Sequence, residues 1–191
     1  MQKIAVFASG SGTNCENLIK YFQKSTEIQV AVVVTNNPFA GVIERASDLE
    51  TDCYINLFQT ADDFQTLDEI LDEYEISWIV LAGFLKLVPS EIIGRYGCKI
   101  INIHPALLPA YGGKGMYGMK VHEAVIEAGD KESGITIHYV NEKYDEGAII
   151  AQHKCSVDPH DTAETLAAKI HELEYKHFPE EVEKEILKKS E

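Results

Sequence analysis

KIAVFASGSGTN (3–14) sets the fold. An apolar, strand-forming run breaks off in Gly10 and Gly12, and Thr13 and Asn14 then open a segment of different period. From 14 to 23 the apolar residues Leu18, Ile19 and Phe22 recur at helical spacing. The same alternation continues outward. QVAVVVTN (29–36) reads as a strand, GVIERASDLE (41–50) as a helix, and CYINLF (53–58) as a shorter strand. DDFQTLDEILDEY (62–74) reads as an amphipathic helix with its acids outside, followed by strands SWIVLAG (77–83) and KIINIH (99–104). Continuous apolar strands separated by helices predict a parallel sheet covered on both faces, a doubly wound, Rossmann-like α/β fold.

Past Gly115 the pattern loosens. MKVHEAVIEAG (119–129) predicts a helix that stops at Gly129. GITIHYV (134–140) and GAIIAQHKCSV (147–157) are strands with a short connection, which favours an antiparallel hairpin at this end of the sheet. DTAETLAAKIHELEYKHF (161–178) predicts a long helix, with Asp161 as cap candidate and Glu164 three residues on. Pro179 is expected to kink or restart it, and the charged tail after Pro179 to fray. No repeat, linker or low-complexity stretch divides the 191 residues, so one domain over 1–191 is expected.

Composition excludes several classes. Hydrophobic content of 45% with 25% charged residues is enough for a packed core and too apolar for disorder. A net charge of −14 argues against duplex nucleic acid and against anionic membranes. No apolar run is long enough to span a bilayer, and the N-terminus reads as strand and glycine loop rather than signal peptide. Cys15, Cys53, Cys98 and Cys155 form no CxxC pair, which fits a reduced, cytoplasmic protein. The seven histidines show no metal-ligand spacing, so no metal is expected.

ASGSGTN (8–14) stands between a strand and a helix, where α/β proteins bind phosphate. The dinucleotide fingerprint fails because Cys15 occupies the third glycine position and Asn36–Asn37 replaces the ribose-binding acid. The phosphate loop of nucleotide triphosphatases fails for want of Gly-Lys-Ser/Thr. A plain tight turn, with Thr13 or Asn14 capping the helix, is the competing reading. Two glycines with Ser, Thr and Asn at this location favour a phosphomonoester.

INIHPALLPAYGGKG (101–115) places Asn102 and His104 on one side of a strand at its carboxyl end, the edge where open α/β sheets bind ligands. An Asn amide can donate to an oxyanion, and a His can move a proton near neutral pH, so the pair suits acyl transfer. A buried Asn and His that merely satisfy loop backbone are the bland alternative. Asp145, in KYDEG (143–147), is an ordinary turn residue unless the fold brings it to His104. There a carboxylate would raise the His pKa and favour the protonated form.

Taken together and in order, SGSGTN, LAGFLKLV, NIHPALLP, YDEG and HELEYKHFP resemble the phosphoribosylglycinamide formyltransferase family, from about Lys3 to Pro179. The resemblance implies transfer of a formyl group from 10-formyltetrahydrofolate, a co-substrate, to the amine of 5-phosphoribosylglycinamide in purine biosynthesis. It implies that Asn102, His104 and Asp145 are catalytic. Asn102 and protonated His104 would stabilise the oxyanion, and Asp145 would orient His104. It assigns Gly12, Thr13 and Asn14 to the ribonucleotide phosphate and Glu174 to the ribose hydroxyls, where a solvated helix glutamate is the default reading. It assigns Leu85, Lys86, Leu87 and Val88, with Asn141, Glu142, Lys143 and Tyr144, to the folate.

The chain departs from the family pattern in AYGGKGMYGMKVH (110–122), which is several residues longer and carries Lys114, Tyr117 and Lys120. Lys114 is either a surface lysine in a lid or an attraction for an anionic substrate. Other folate-dependent formyltransferases share NIHPALLP. A formyltransferase acting on tRNA needs a basic domain, and a formyltetrahydrofolate hydrolase an N-terminal regulatory one. A non-catalytic nucleotide- or folate-binding module would suit the glycine loop but has no use for a proton-transfer pair. Oligomeric state is not legible.

Overall fold

The computed structural model describes residues 1–188. The chain forms two units, Met1–Ile101 and a second that begins at Asn102.

In the first unit β1 (Gln2–Phe7), β2 (Ile28–Thr35), β3 (Cys53–Ile55) and β4 (Trp78–Leu81) run parallel in the order β3-β2-β1-β4. Four of the six β1 residues are fully buried, which is why its sequence is apolar without alternation. Helices α1 (Thr13–Phe22), α2 (Val42–Asp48), α3 (Ala61–Glu73) and α4 (Ser90–Tyr96) connect the strands. On α1, Cys15, Leu18, Ile19 and Phe22 form the buried stripe. Thr60 caps α3 in a reciprocal capping box with Asp63. β3 ends at Ile55 rather than continuing to residue 58. Asn56 turns the chain there: its side chain donates to the Asp63 carbonyl and accepts from the Phe58 amide. SEIIGRY (90–96) forms α4, an element the sequence pattern does not signal, because about two turns give too few apolar repeats to register a period.

Strand β5 (Ile100–His104) crosses the boundary between the units. In the second unit, β6 (Glu132–Tyr139) and β7 (Ile149–Ser156) pair antiparallel, as the short connection predicts. β6 is buried on both faces and β7 alternates, as an outer strand should. The β6–β7 register shifts between Ile137, opposite Ala151, and His138, opposite Ile149, which leaves Ile150 of β7 as the extra residue beside His138. The architecture is thus α/β, Rossmann-like, with mostly parallel strands and an antiparallel pair toward the C-terminus.

α5 (Met119–Ala128) ends at Gly129 in the left-handed conformation. α6 (Ala163–Lys188) corrects two expectations. Its cap is Thr162, which exchanges hydrogen bonds with Thr165, while Asp161 instead binds Lys169 and the Asp158 amide. The helix also runs through Pro179 without restarting and continues past it to Lys188. Proline removes one backbone bond, but Phe178, Val182 and Ile186 are fully buried on either side of it. Each such side chain contributes about 1.5–3 kcal/mol by burial, which outweighs the lost bond. Residues 189–191, the rest of the tail expected to fray, lie outside the described residues. Among the described residues no helix is long and apolar enough to cross a membrane.

Candidate active site

The second unit brings three of the sequence-predicted residues into one cluster. Asn102 and His104 stand at the end of β5, and Asp145 in the β6–β7 connection. His104 Nδ1 lies 3.5 Å from Asp145 Oδ2, and both side chains are nearly buried, at 5% and 11% exposure. The carboxylate is fixed in place: Gly113 N–H donates to the same Oδ2 at 2.8 Å. Asp145 holds a left-handed φ of 57°, which Asp tolerates better than most residues. At Gly147, a Cβ would sit 1.6 Å from the Tyr139 carbonyl, so only glycine lets the chain turn back into β7 there.

Proton positions follow from the partners. A carbonyl can only accept, so His104 Nε2–H donates to the Tyr111 carbonyl at 2.7 Å, and in the neutral ring Nδ1 is the free lone pair facing Asp145. Tyr111 is held in turn by its hydroxyl, which donates to Asp130 at 2.6 Å.

The expected rise in the His104 pKa does not prevail. Burial lowers it, and although Asp145 and the Tyr111 carbonyl pull it up, the result is below the ordinary value. His104 therefore rests neutral. For Asp145, burial raises the pKa, but His138, His104 and the Gly113 amide together hold it below the ordinary carboxylate value. It stays ionised.

His138, on β6, is the residue the sequence reading misses. Its Nδ1–H donates to the Tyr139 carbonyl at 2.8 Å, so Nε2 accepts from the Asn102 amide at 3.1 Å. Asp145 Oδ1 is 3.7 Å from the same nitrogen, beyond hydrogen-bond distance but near enough for ring and carboxylate to interact. Asn102 Nδ2 carries two N–H groups. His138 holds one and thereby aims the other. Nothing in GITIHYV marks this histidine, because the contact joins residues 36 positions apart. Thr136, also on β6, donates to the Ala106 carbonyl and accepts from Leu108 N–H, tying the segment after His104 to the strand.

Glu174 on α6 is 7% exposed, not the solvated helix glutamate of the default reading. In the β6–β7 connection Asn141 accepts from Lys143 N–H, Lys143 pairs with Glu146, and Glu142 and Lys143 are exposed. Tyr144 is half-buried. In the loop before α5, Gly113, Gly115 and Gly118 take positive φ, Lys114 is exposed, and Lys120 Nζ sits 5.0 Å from the centre of the Tyr117 ring. That loop supplies the Gly113 amide that grips Asp145.

The remaining predicted residues belong to the first unit. Gly12, with φ of 80°, is the N-cap of α1, and no side chain caps the helix. Thr13 and Asn14 are therefore in its first turn and are not the caps the sequence offered. Cys15, at the missing-glycine position, is fully buried, and burial pushes its thiol pKa up. Leu85, Lys86, Leu87 and Val88 form an irregular segment after β4. Leu85 and Leu87 leave 48% and 44% of their surface exposed, while Val88 is buried. Exposed leucines on a short segment fit a flat, largely apolar ring system. Among the described residues no group of His, Cys, Asp and Glu could hold a metal ion.

Comparison with known proteins agrees with this chemistry. Residues 2–182 match the family profile described as formyl transferase. The chloroplastic phosphoribosylglycinamide formyltransferase of Vigna unguiculata is 43% identical over 189 residues, 95% of this chain and 60% of that relative. The chain thus spans 60% of the length of that plant relative. The phosphoribosylglycinamide formyltransferase of Bacillus subtilis (strain 168) is 40% identical over 184 residues, 94% of this chain and 92% of its own. The crystal structure of the enzyme of that name from Bacillus halodurans superposes with a TM-score of 0.87 at 38% identity, covering 100% of this chain and 97% of the other.

Proposed function

Because this chain belongs to the formyl transferase family, we propose that it transfers the formyl group of 10-formyltetrahydrofolate to the amine of 5-phosphoribosylglycinamide, in purine biosynthesis. The observation that carries this reading is the buried pairing of His104 with Asp145 at 3.5 Å, with Asn102 two residues before His104 on β5. The folate co-substrate supplies an electrophilic formyl carbon. Asn102 donates its second amide hydrogen to the formyl oxygen as charge develops there. His104, neutral at rest, takes the proton of the attacking amine at Nδ1, and Asp145 stabilises the imidazolium so formed. His104 then returns the proton to the departing nitrogen.

Gly12, Thr13 and Asn14 take the phosphate and Glu174 the ribose hydroxyls. Leu85 to Val88 and Asn141 to Tyr144 take the folate, with the exposed leucines against its rings. Residues 1–191 act as a single formyltransferase domain. A net charge of −14 supports small-molecule substrates rather than nucleic acid. That none of Cys15, Cys53, Cys98 and Cys155 is in a disulfide supports a reducing, cytoplasmic setting.

The test is formyl transfer by the purified protein, with and without the ribonucleotide, beside His104→Ala. Transfer that requires the ribonucleotide and collapses in the variant is the expected result. Folate turnover without the ribonucleotide would mean hydrolysis, and no turnover at all would mean a different acceptor or a binding module.

A further inference from the structure

We propose that Arg45 is a positioning residue that fixes the phosphate loop, an inference that rests on the phosphate role given above to Gly12, Thr13 and Asn14. The loop 9–12 lies against the first turn of α2. Val42 N–H donates to the Gly10 carbonyl at 3.2 Å, and Arg45 Nε–H donates to the Ser11 carbonyl at 2.9 Å. The Arg45 guanidinium also bonds Glu16, in the first turn of α1. The fit is close: a Cβ on Gly12 would lie 2.5 Å from Val42 Cβ, and one on Gly41 3.2 Å from the Ser11 carbonyl. Ser9 closes the other end. Its hydroxyl donates to Asn36 Oδ1 and accepts from Leu85 N–H at 2.8 Å.

An anion is held by N–H groups and repelled by carbonyl oxygens. α2 draws the Gly10 and Ser11 carbonyls onto itself, and this sets which way the peptide units of the loop face. Arg45 bonds the Ser11 carbonyl through Nε and the Glu16 carboxylate through a terminal nitrogen, a fixed planar geometry that the single nitrogen of an ammonium does not reproduce. Glu16 offsets the charge of Arg45, and the carboxylate's own pKa is lowered by Lys20 and Arg45. The guanidinium therefore acts through geometry and not as the phosphate's counter-charge.

The experiment compares wild type with Arg45→Gln, Arg45→Lys and, as a milder release of the same fork, Glu16→Gln. It measures steady-state formyl transfer and the backbone amide shifts of residues 10–14 on titration with ribose 5-phosphate, with ribose as control. Arg45→Gln is expected to raise KM for the ribonucleotide and Kd for ribose 5-phosphate about tenfold, the effect of losing one charge-assisted bond. KM for the folate and kcat should stay within about twofold. Arg45→Lys should not restore binding, and Glu16→Gln should weaken it about threefold. Full restoration by lysine would make Arg45 a counter-charge and overturn the proposal. A rise in folate KM or a fall in kcat of equal size would overturn it as general loss of structure. Wild-type amides that ignore ribose 5-phosphate would remove the phosphate role and this proposal with it, a failure visible before any variant is made.

Discussion

Replacing His138 by alanine should disable Asn102 without touching it. His138 Nε2 accepts one Asn102 N–H at 3.1 Å in a site where His138 is 2% exposed. A neutral hydrogen bond contributes about 1 kcal/mol net, and leaving a buried donor unpaired costs about 1–3 kcal/mol. About 1–2 kcal/mol of that orients the amide toward the reacting oxygen, which corresponds to a roughly five- to thirtyfold fall in kcat. Removing the donor itself, in Asn102→Ala, should cost more, about 10²–10³. His138→Gln returns an acceptor near the position of Nε2 and should recover most of the loss. The assay is kcat and KM for both substrates in a double-mutant cycle, with thermal melts to confirm folding. Asn102→Ala/His138→Ala should be no slower than Asn102→Ala, because the histidine then has nothing to orient. Additive effects, or a kcat within twofold of wild type in His138→Ala, would refute the reasoning.

Asp145→Asn removes the charge that pulls the His104 pKa upward, so the acid limb of the kcat–pH profile should move to lower pH while kcat falls; an unmoved limb would detach Asp145 from His104. His122 is 2% exposed, and burial, with His171 and His104 nearby, lowers its pKa from 6.5 to about 4. A depressed pKa means stability is full above the unfolded value and lost as pH falls toward the folded one. Urea unfolding should therefore show about 2 kcal/mol lost between pH 7 and pH 5, a loss that His122→Gln largely abolishes. Gly147→Ala drives a Cβ to 1.6 Å from the Tyr139 carbonyl and should cost about 3 kcal/mol, the upper end for overpacking. A melting temperature lowered by about 6–12 °C, with activity lost as Asp145 shifts, is the expected outcome.

Much of the fold was legible because its signals are local. The run of KIAVFAS into glycines, the helical spacing of Leu18, Ile19 and Phe22, and the short connection between β6 and β7 each lie within a few residues. The pairing of Asn102 with His104 was legible for the same reason: two positions on a strand share a side. Asp145 needed the family resemblance, since no spacing ties residue 145 to residue 104. The elements misjudged were those decided by burial and side-chain pairing rather than by backbone preference. Pro179 reads as a break, yet Phe178, Val182 and Ile186 are buried and carry α6 through it. Thr162 rather than Asp161 caps α6 because Lys169, about two turns further on, claims the aspartate.

The sequence by itself determined the order of elements, the place of the glycine loop and the chemical types at the end of β5, because backbone preference and side-chain period are properties of neighbouring residues. The tertiary structure alone decided which atoms meet and how they are charged. It put His138 behind Asn102, buried Glu174, and gave Asp145 the Gly113 amide. It also reversed the expected direction of the His104 pKa. Desolvation acts through everything packed around the ring, and a carboxylate at 3.5 Å does not outweigh it.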